Sequence, residues 1–471
     1  MLDAAPEAEF GGNSRYTAGA MRFAYSNHDD ILALLADSRD ERIARTDFGT
    51  YTSAQFEQDL LSFNGERALT PQQKLLVSES QSLMRWLQAI GVTFAPIYSR
   101  QSFERDGQYQ FWGGLTLSAV GEGEGLVQAQ RSIFEARGGR IEYNCDVQEL
   151  LSDRADGVRG VRALTPTGSR DINAAAVVLA CGGFEANPVT RSEYLGPDWQ
   201  HAKVRGSRYN QGQGLQMAQA RGAGLAGAFE RCHATPMDAA MPNYGNPAMA
   251  HIDRKNYRKI SYPFGLMLNT RGERFVDEGK NFRNYTYAQY GRAILEQPQH
   301  RAWQLFDAQV MDLLYEEYRV DFASKFVADS LPELLAQLDG IDQSAALRTL
   351  TQYNAAINDA PAFDPTKLDG RCTQGLAIDK TNWANRLEQA PFYAYPVVCG
   401  ITFTYGGLAV NNSGEVLSAE PPRRPIDGLY AAGELVGDLF FEGYPGGSGL
   451  TAGGVFGRAA GYQAARYLSA R

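Results

Sequence analysis

Residues 172–183, INAAAVVLACGG, run apolar for about the length of one strand and stop at Gly182 and Gly183. An unbroken apolar run of that length suits a strand buried in a parallel sheet, and the two glycines allow either a tight turn or a close approach to a ligand. Parallel strands need crossover helices, and the chain offers them. GEGEGLVQAQRSIFEARGGRIEYNCDVQELL predicts a glycine-rich entry, a helix ended by Gly138 and Gly139, and a strand around 141–144. Near the end, GLYAAGELVGD followed by YPGGSGLTAGGVFGRAAGYQAARYL predicts strand, glycine turn and a final helix rich in small residues. The class is therefore α/β.

A chain of 471 residues is too long for one core and splits into lobes, one of which can be discontinuous. ILALLADS and QKLLVSESQSLMRWLQAIGV carry apolar residues three and four apart and predict amphipathic helices. Residues 231–396 are richer in Tyr, Phe, Asn, Asp and Pro and hold the helical stretches SLPELLAQL and SAALRTLTQYNAAI. The boundaries expected are 1–230 and 397–471 for the two parts of one domain, with 231–396 inserted as a cap.

The chemistry is bounded by what is absent. With 45 Lys plus Arg against 54 Asp plus Glu, the net charge of -9 disfavours nucleic acid or an anionic membrane as a partner. The five cysteines are scattered, without a CxxC pair, so no zinc site is expected and a reducing compartment fits. No apolar run reaches the roughly 18 to 20 residues of a spanning helix, and no secretory leader is read at the start, so the expected location is the cytoplasm.

GGNSRYTAG, residues 11–19, packs three glycines with amide and hydroxyl side chains, and reads either as a surface turn or as backbone that meets a phosphate or flavin edge. Asp3 is either an exposed aspartate or the acid at a strand end that bonds ribose hydroxyls. Glu434 follows a strand and a glycine. GGSGLTAGG feeds a helix whose positive end could hold the electron-rich edge of a reduced flavin, or whose small residues simply pack closely. RGERFVDEGKNFRNYTYAQYG concentrates Arg274, Asp277, Glu278, Arg283, Tyr285, Tyr287 and Tyr290. Such a cluster either orients a substrate carboxylate and relays a proton, or forms a structural ion-pair network. His233 reads equally as a substrate contact and as a structural histidine.

GGNSRYTAG, ACGGF, GERFVDEGKNFRNYTYAQYG, YAAGELVGD and YPGGSGLTAGGVFGRAAG together resemble the fumarate reductase and succinate dehydrogenase flavoprotein family, from the first residues to the last. Within it they look most like the FAD-dependent tricarballylate dehydrogenases. The resemblance implies a Rossmann-like FAD-binding domain built from both ends of the chain, with an inserted α+β cap. It implies that Asp3 holds the adenosine ribose, that Gly12, Asn13, Ser14 and Gly19 line the pyrophosphate and flavin, and that Val147 faces adenine. Gly182 and Gly183 would flank the cofactor, and Glu434, Ser448 and Leu450 would complete the ribityl and isoalloxazine contacts. Arg283 stands where fumarate-reducing members carry a proton-delivering arginine, and His233 resembles a carboxylate-binding histidine.

The sequence also departs from that family. ITFTYGG lacks the expected histidine, and Tyr444 replaces a second substrate-binding arginine, so simple fumarate reduction is not expected. YPGGSG is also similar to ketosteroid dehydrogenases, where a tyrosine at this place assists enone chemistry. The strand, GxGxxG turn and helix that the family places before the acidic strand end are not in this sequence, which reads as one entered midway. The expected reaction is α,β-dehydrogenation or its reverse at an activated C–C bond of a small, tricarballylate-like carboxylate. Arg283 would handle the proton, helped by Tyr285 or Tyr444, and electrons would pass to a separate carrier or oxygen. Ketosteroid-like enone chemistry and a non-catalytic, ligand-binding remnant are the alternatives.

Overall fold

A computed structural model describes residues 1–470 except 38, 112, 153–156, 247, 251–252, 255 and 322–323. It divides into two compact units. The first comprises Met1–Gly196, Gly206–Cys232 and Phe403–Arg471, and the second Pro197–Arg205 and His233–Thr402. Among the described residues, no helix is long and apolar enough to cross a membrane.

In the first unit, residues 1–5 lie alongside 142–145 in a parallel sense. Met1 O accepts from Glu142 N, Asp3 N donates to Glu142 O at 2.9 Å, and Cys145 N donates to Asp3 O at 2.9 Å. The strand expected at 141–144 is thus a short bridged edge, and its length comes from pairing with the chain start rather than from local apolar residues. Asp146–Leu151, Gly160–Thr165 and Gly168–Asn173 form an antiparallel meander. Val177–Leu179 pairs in parallel with Pro425–Ala431, Val177 opposite Leu429 and Leu179 opposite Ala431. This is the apolar run read as a buried strand, although Val178 is 42% exposed and only the other face is covered.

Helices in this unit begin and end where local chemistry satisfies their free backbone groups. Pro71–Ile90 starts at a capping box between Thr70 and Gln73 and stops at Gly91 in a left-handed conformation. It buries Leu76, Leu83, Met84 and Leu87, the stripe expected from the sequence. ILALLADS behaves differently: helix His28–Leu32 ends before most of it, and Leu35 bridges to Phe94 instead. A tertiary strand contact there outweighs helical periodicity.

The second unit is built on one mixed sheet. Lys203–Val204, Phe392–Thr404, Arg301–Asp307 and Leu266–Asn269 follow in that order, with Cys232–Asp238 and Phe326–Ala328 also pairing to Phe392–Thr404. Trp303, Leu266, Leu268 and Leu305 pack against helices Leu331–Ala336 and Gln343–Ala356. The unit runs past the 231–396 read from composition because Phe392–Thr404 continues as one strand through Pro396, and because Lys203–Val204 joins its edge.

Candidate active site

The strand end after Val177–Leu179 carries the first part of the site. A Cβ on Gly183 would stand 2.1 Å from Thr404 Oγ1 and 2.2 Å from Glu434 Oε1, and one on Gly182 would stand 2.2 Å from Asn210 Nδ2. Gly182 also has φ of +76°. Side chains are therefore excluded at both positions, and three polar groups close around the bend.

At the centre lies Glu185, a residue the sequence reading did not select. It is fully buried. Asn13 Nδ2 and Asn210 Nδ2 both donate to its Oε1, at 2.6 and 2.5 Å, while Asn13 Oδ1 accepts from Ser207 N at 2.8 Å. Glu434 Oε1 accepts from Thr404 N at 2.7 Å and from Thr404 Oγ1 at 3.0 Å. Burial, then the neighbouring charge of Glu434, pushes the Glu185 carboxyl far above the usual carboxylate range. Burial also raises Glu434. Two like acids withdrawn from water share a proton more readily than both ionise. Asn13, Gly182, Gly183 and Glu434 are thus brought together by Glu185. Its only signal in the sequence is an acid two positions after a glycine pair.

The other positions selected for a cofactor lie in the same unit. Gly12 and Gly433 have left-handed backbones and nothing within 4 Å of where a Cβ would stand, so each borders open space. Gly12–Tyr16 forms a 3-10 turn with no side-chain cap, and Ser14 lies within it. Gly19 serves packing, since a Cβ there would stand 2.5 Å from the Glu122 carbonyl carbon. Asp3 Oδ1 accepts from Ala5 N at 2.9 Å, and burial raises its pKa. Val147 follows Cys145 by two residues and sits opposite Ala163. Helix Ser448–Ser469 has 22 residues, starts at left-handed Gly447 without a side-chain cap, and places Leu450 in its first turn. Ser448 turns its hydroxyl to Pro445 O at 2.7 Å. Uncapped helix starts, open glycines and an acid at a strand end are the donor and acceptor set that a dinucleotide with a pyrophosphate needs.

Tyr444 also belongs to this unit. Its hydroxyl accepts from Gly447 N at 3.3 Å, and its ring meets those of Phe403 and Phe440 at 5.3 and 5.4 Å. Tyr405 packs on both phenylalanines, so an apolar aromatic wall stands at this helix start.

In the second unit the dense polar segment divides by role. Arg274 Nη2 pairs with Glu278 Oε2 at 2.5 Å, with the arginine 5% exposed and the glutamate fully buried. Asp277 accepts from Gly279 N and Thr381 Oγ1, and Tyr290 donates to its main-chain oxygen. These residues tie the segment to the fold. Arg283, first residue of helix Arg283–Leu295, stands apart from them: its guanidinium lies 4.5 Å from the centre of the Tyr315 ring and its Nε–H donates to the Tyr315 hydroxyl. Tyr315 N in turn donates to Ser261 Oγ at 3.1 Å.

His233 packs edge-on against Tyr287, one turn after Arg283 on that helix, with ring centres 5.0 Å apart. Gly291 lets the helix press on the same strand, because a Cβ there would stand 2.4 Å from the Ala234 carbonyl carbon. Burial, with the Arg205 charge second, pushes the His233 imidazole down to about 3, so it is neutral at ordinary pH. Tyr285 is half-buried in the helix's first turn. Tyr315, absent from the sequence reading, is the partner that the structure adds.

A family profile described as FAD binding domain matches residues 5–450. A probable fumarate reductase of Shewanella frigidimarina is 26% identical over 396 residues, which cover 83% of this chain and 61% of that protein. The 4-oxocyclohexanecarboxylate 2-dehydrogenase of Sinomonas cyclohexanicum is 27% identical over 421 residues, 76% of this chain and 66% of the relative. The open conformation of a flavocytochrome c3 fumarate reductase shares the fold, with a TM-score of 0.72 at 23% identity over 99% of this chain and 73% of that one. The present chain therefore spans less than two thirds of the first relative's length.

Proposed function

The chain belongs to the flavoproteins of the FAD binding domain family, and from that premise we propose that it oxidises or reduces an activated C–C bond in a small, tricarballylate-like carboxylate. FAD supplies the two-electron acceptor or donor that such a bond requires. Asp3 would hold its ribose and Gly12, Asn13, Ser14 and Gly19 its pyrophosphate and flavin. Val147 would meet adenine, Gly182 and Gly183 would flank the cofactor, and Glu434, Ser448 and Leu450 would hold the ribityl chain and ring.

The observation that carries the reading is the Arg283–Tyr315 pair. An N–H donated to the phenol oxygen leaves the phenol's own proton as the one that can move, and a guanidinium supplies the positive charge that attracts a carboxylate. Tyr285 follows in the same turn. His233, held neutral, can offer a hydrogen bond to substrate but no charge, so neutralising an acid group falls to Arg283.

The aromatic wall around Tyr444 favours a second reading, in which the substrate is a less charged enone and Tyr444 binds its carbonyl. The Sinomonas relative is named for a ring ketone that carries a carboxylate, a substrate class intermediate between the two readings. Electrons would then pass to a separate carrier or to oxygen.

The test is anaerobic mixing of the FAD-loaded chain with tricarballylate, 4-oxocyclohexanecarboxylate and a 3-ketosteroid, followed by flavin absorbance. Bleaching by the first supports the carboxylate reading, and bleaching by the steroid alone supports the enone reading. Arg283→Ala should slow the productive reaction about 10²-fold or more. A chain that stays colourless with added FAD would instead favour a non-catalytic remnant.

A further inference from the structure

We infer that Glu185 is a positioning residue whose protonated carboxyl group locks the 12–16 turn to the 206–210 segment and so shapes the FAD site. This deepens the reading above and rests on it for the identity of the ligand. The geometry separates the two oxygens of Glu185. Oε1 accepts from the amides of Asn13 and Asn210, whereas Oε2 is buried and meets no N–H or hydroxyl donor, leaving the Glu434 carboxyl as the group with which a proton is shared. An ionised carboxylate would leave that oxygen bare of water and of donors, which is far costlier than leaving a hydroxyl there.

The surroundings agree. Among the described residues, the charged side chains that meet Glu185 include Glu434 and Arg191, with the Cys181 thiol nearby in sequence. Arg191 directs Nη1 to the Glu185 main-chain oxygen at 2.5 Å. The Cys181 thiol lies at the strand end against Gly214, where a Cβ would stand 2.4 Å from its Sγ. Glu434 is a like charge, has two donors from Thr404, and is partly exposed, so it is the member that ionises. Glu185, with no exposure at all, keeps the proton.

Losing the proton would turn the clamp into a charge facing Glu434. Oε1 would still accept from Asn13 and Asn210, but the repulsion is relieved only if Glu185 moves off Glu434, and the turn bearing Gly12 and Ser14 would move with it through Asn13. The held proton is therefore present below the raised pKa of Glu185 and is lost as pH rises through it. FAD affinity should fall on the alkaline side for that reason.

Three variants of the full chain test this: Glu185→Gln, which keeps an acceptor at Oε1 without an ionisable proton, Glu185→Ala, and Glu434→Gln. Two measurements are made on each, FAD affinity against pH from flavin fluorescence and the infrared band of a protonated carboxyl group in the apoprotein at neutral pH. The native chain should show the band and an alkaline loss of affinity. Glu185→Gln should lack the band, bind FAD within about twofold of native and bind with a flatter pH profile. Glu185→Ala should bind about tenfold more weakly or worse, because two buried amides lose their acceptor. Glu434→Gln should keep the band and shift the loss of affinity to lower pH, since the like charge that holds the Glu185 proton on is removed. A native band that persists in Glu185→Gln, or the same pH profile in both proteins, would overturn the inference. A band that behaves as expected in a chain that never takes up FAD would leave the proton in place and overturn the FAD reading instead.

Discussion

The two units bury acidic groups in opposite ways. In the second unit three deep carboxylates have a base: Glu278 has Arg274, Glu317 has Arg258 at 3.2 Å, and Asp238 has Lys259 at 3.5 Å, while Asp307 is held by amide donors of Gln309, Glu388 and Gln389. In the first unit Glu185 has a second acid and two neutral amides. Ion pairs of the first kind fix a fold without asking for anything further. An acid that stays neutral only through a shared proton is expensive to keep, and it stands beside the glycines and uncapped turns that suit a cofactor.

The sharpest way to break the comparison is Arg274→Ala. With its base gone, Glu278 would be a buried unpaired charge, and chemical denaturation should show a loss of about 3 to 5 kcal/mol. Replacing both partners by Met and Leu should recover most of it. If Arg274→Ala is harmless, the paired and unpaired acids do not differ as described.

His233 is an exception in the second unit, a buried base kept neutral. As its folded pKa is lowered to about 3, the unfolded chain takes up the proton first as pH falls from 6.5 to 3. Stability should therefore fall across that window by up to about 5 kcal/mol, and His233→Gln should flatten the slope. Lys259, brought down to about 8 mainly by burial, has the same sign at higher pH, stability rising as pH rises from about 8 towards its ordinary range.

Gly183→Ala probes the first unit directly. Its methyl would meet Thr404 Oγ1 and Glu434 Oε1, and a cost of about 2 kcal/mol is expected, with weaker FAD uptake in a fluorescence titration. Tyr315→Phe should be the mildest, about 1 kcal/mol or less in a melt, yet it should slow turnover well beyond that effect. Slowing no greater than the stability loss would reduce Tyr315 to packing.

Much of this was legible in the sequence because it is local. The capping box at Thr70, the stop at Gly91 and the small-residue helix Ser448–Ser469 follow from a few adjacent residues. The glycine strings identified the family for the same reason, as tight approaches require glycine wherever they occur. Glu185 was missed because its burial is made from afar, by Asn13 172 residues earlier and Asn210 25 residues later. Tyr315 was missed because VMDLLYEEY looks like an ordinary amphipathic stretch, and its partner stands 32 residues back. ILALLADS failed as a helix because Phe94 competes for Leu35, which periodicity cannot show.

The first unit is assembled from three separated stretches, with the second unit's residues lying between them. During synthesis the segment bearing Asn13, Glu185 and Asn210 leaves the ribosome long before Thr404 and Glu434 exist. Through that interval the acid remains hydrated and charged, while the intervening sheet is free to fold as its own unit. Closing the carboxyl cluster is therefore one of the last events of the chain's maturation. A translational pause or nick after residue 402 would yield a folded second unit attached to an unfinished first one.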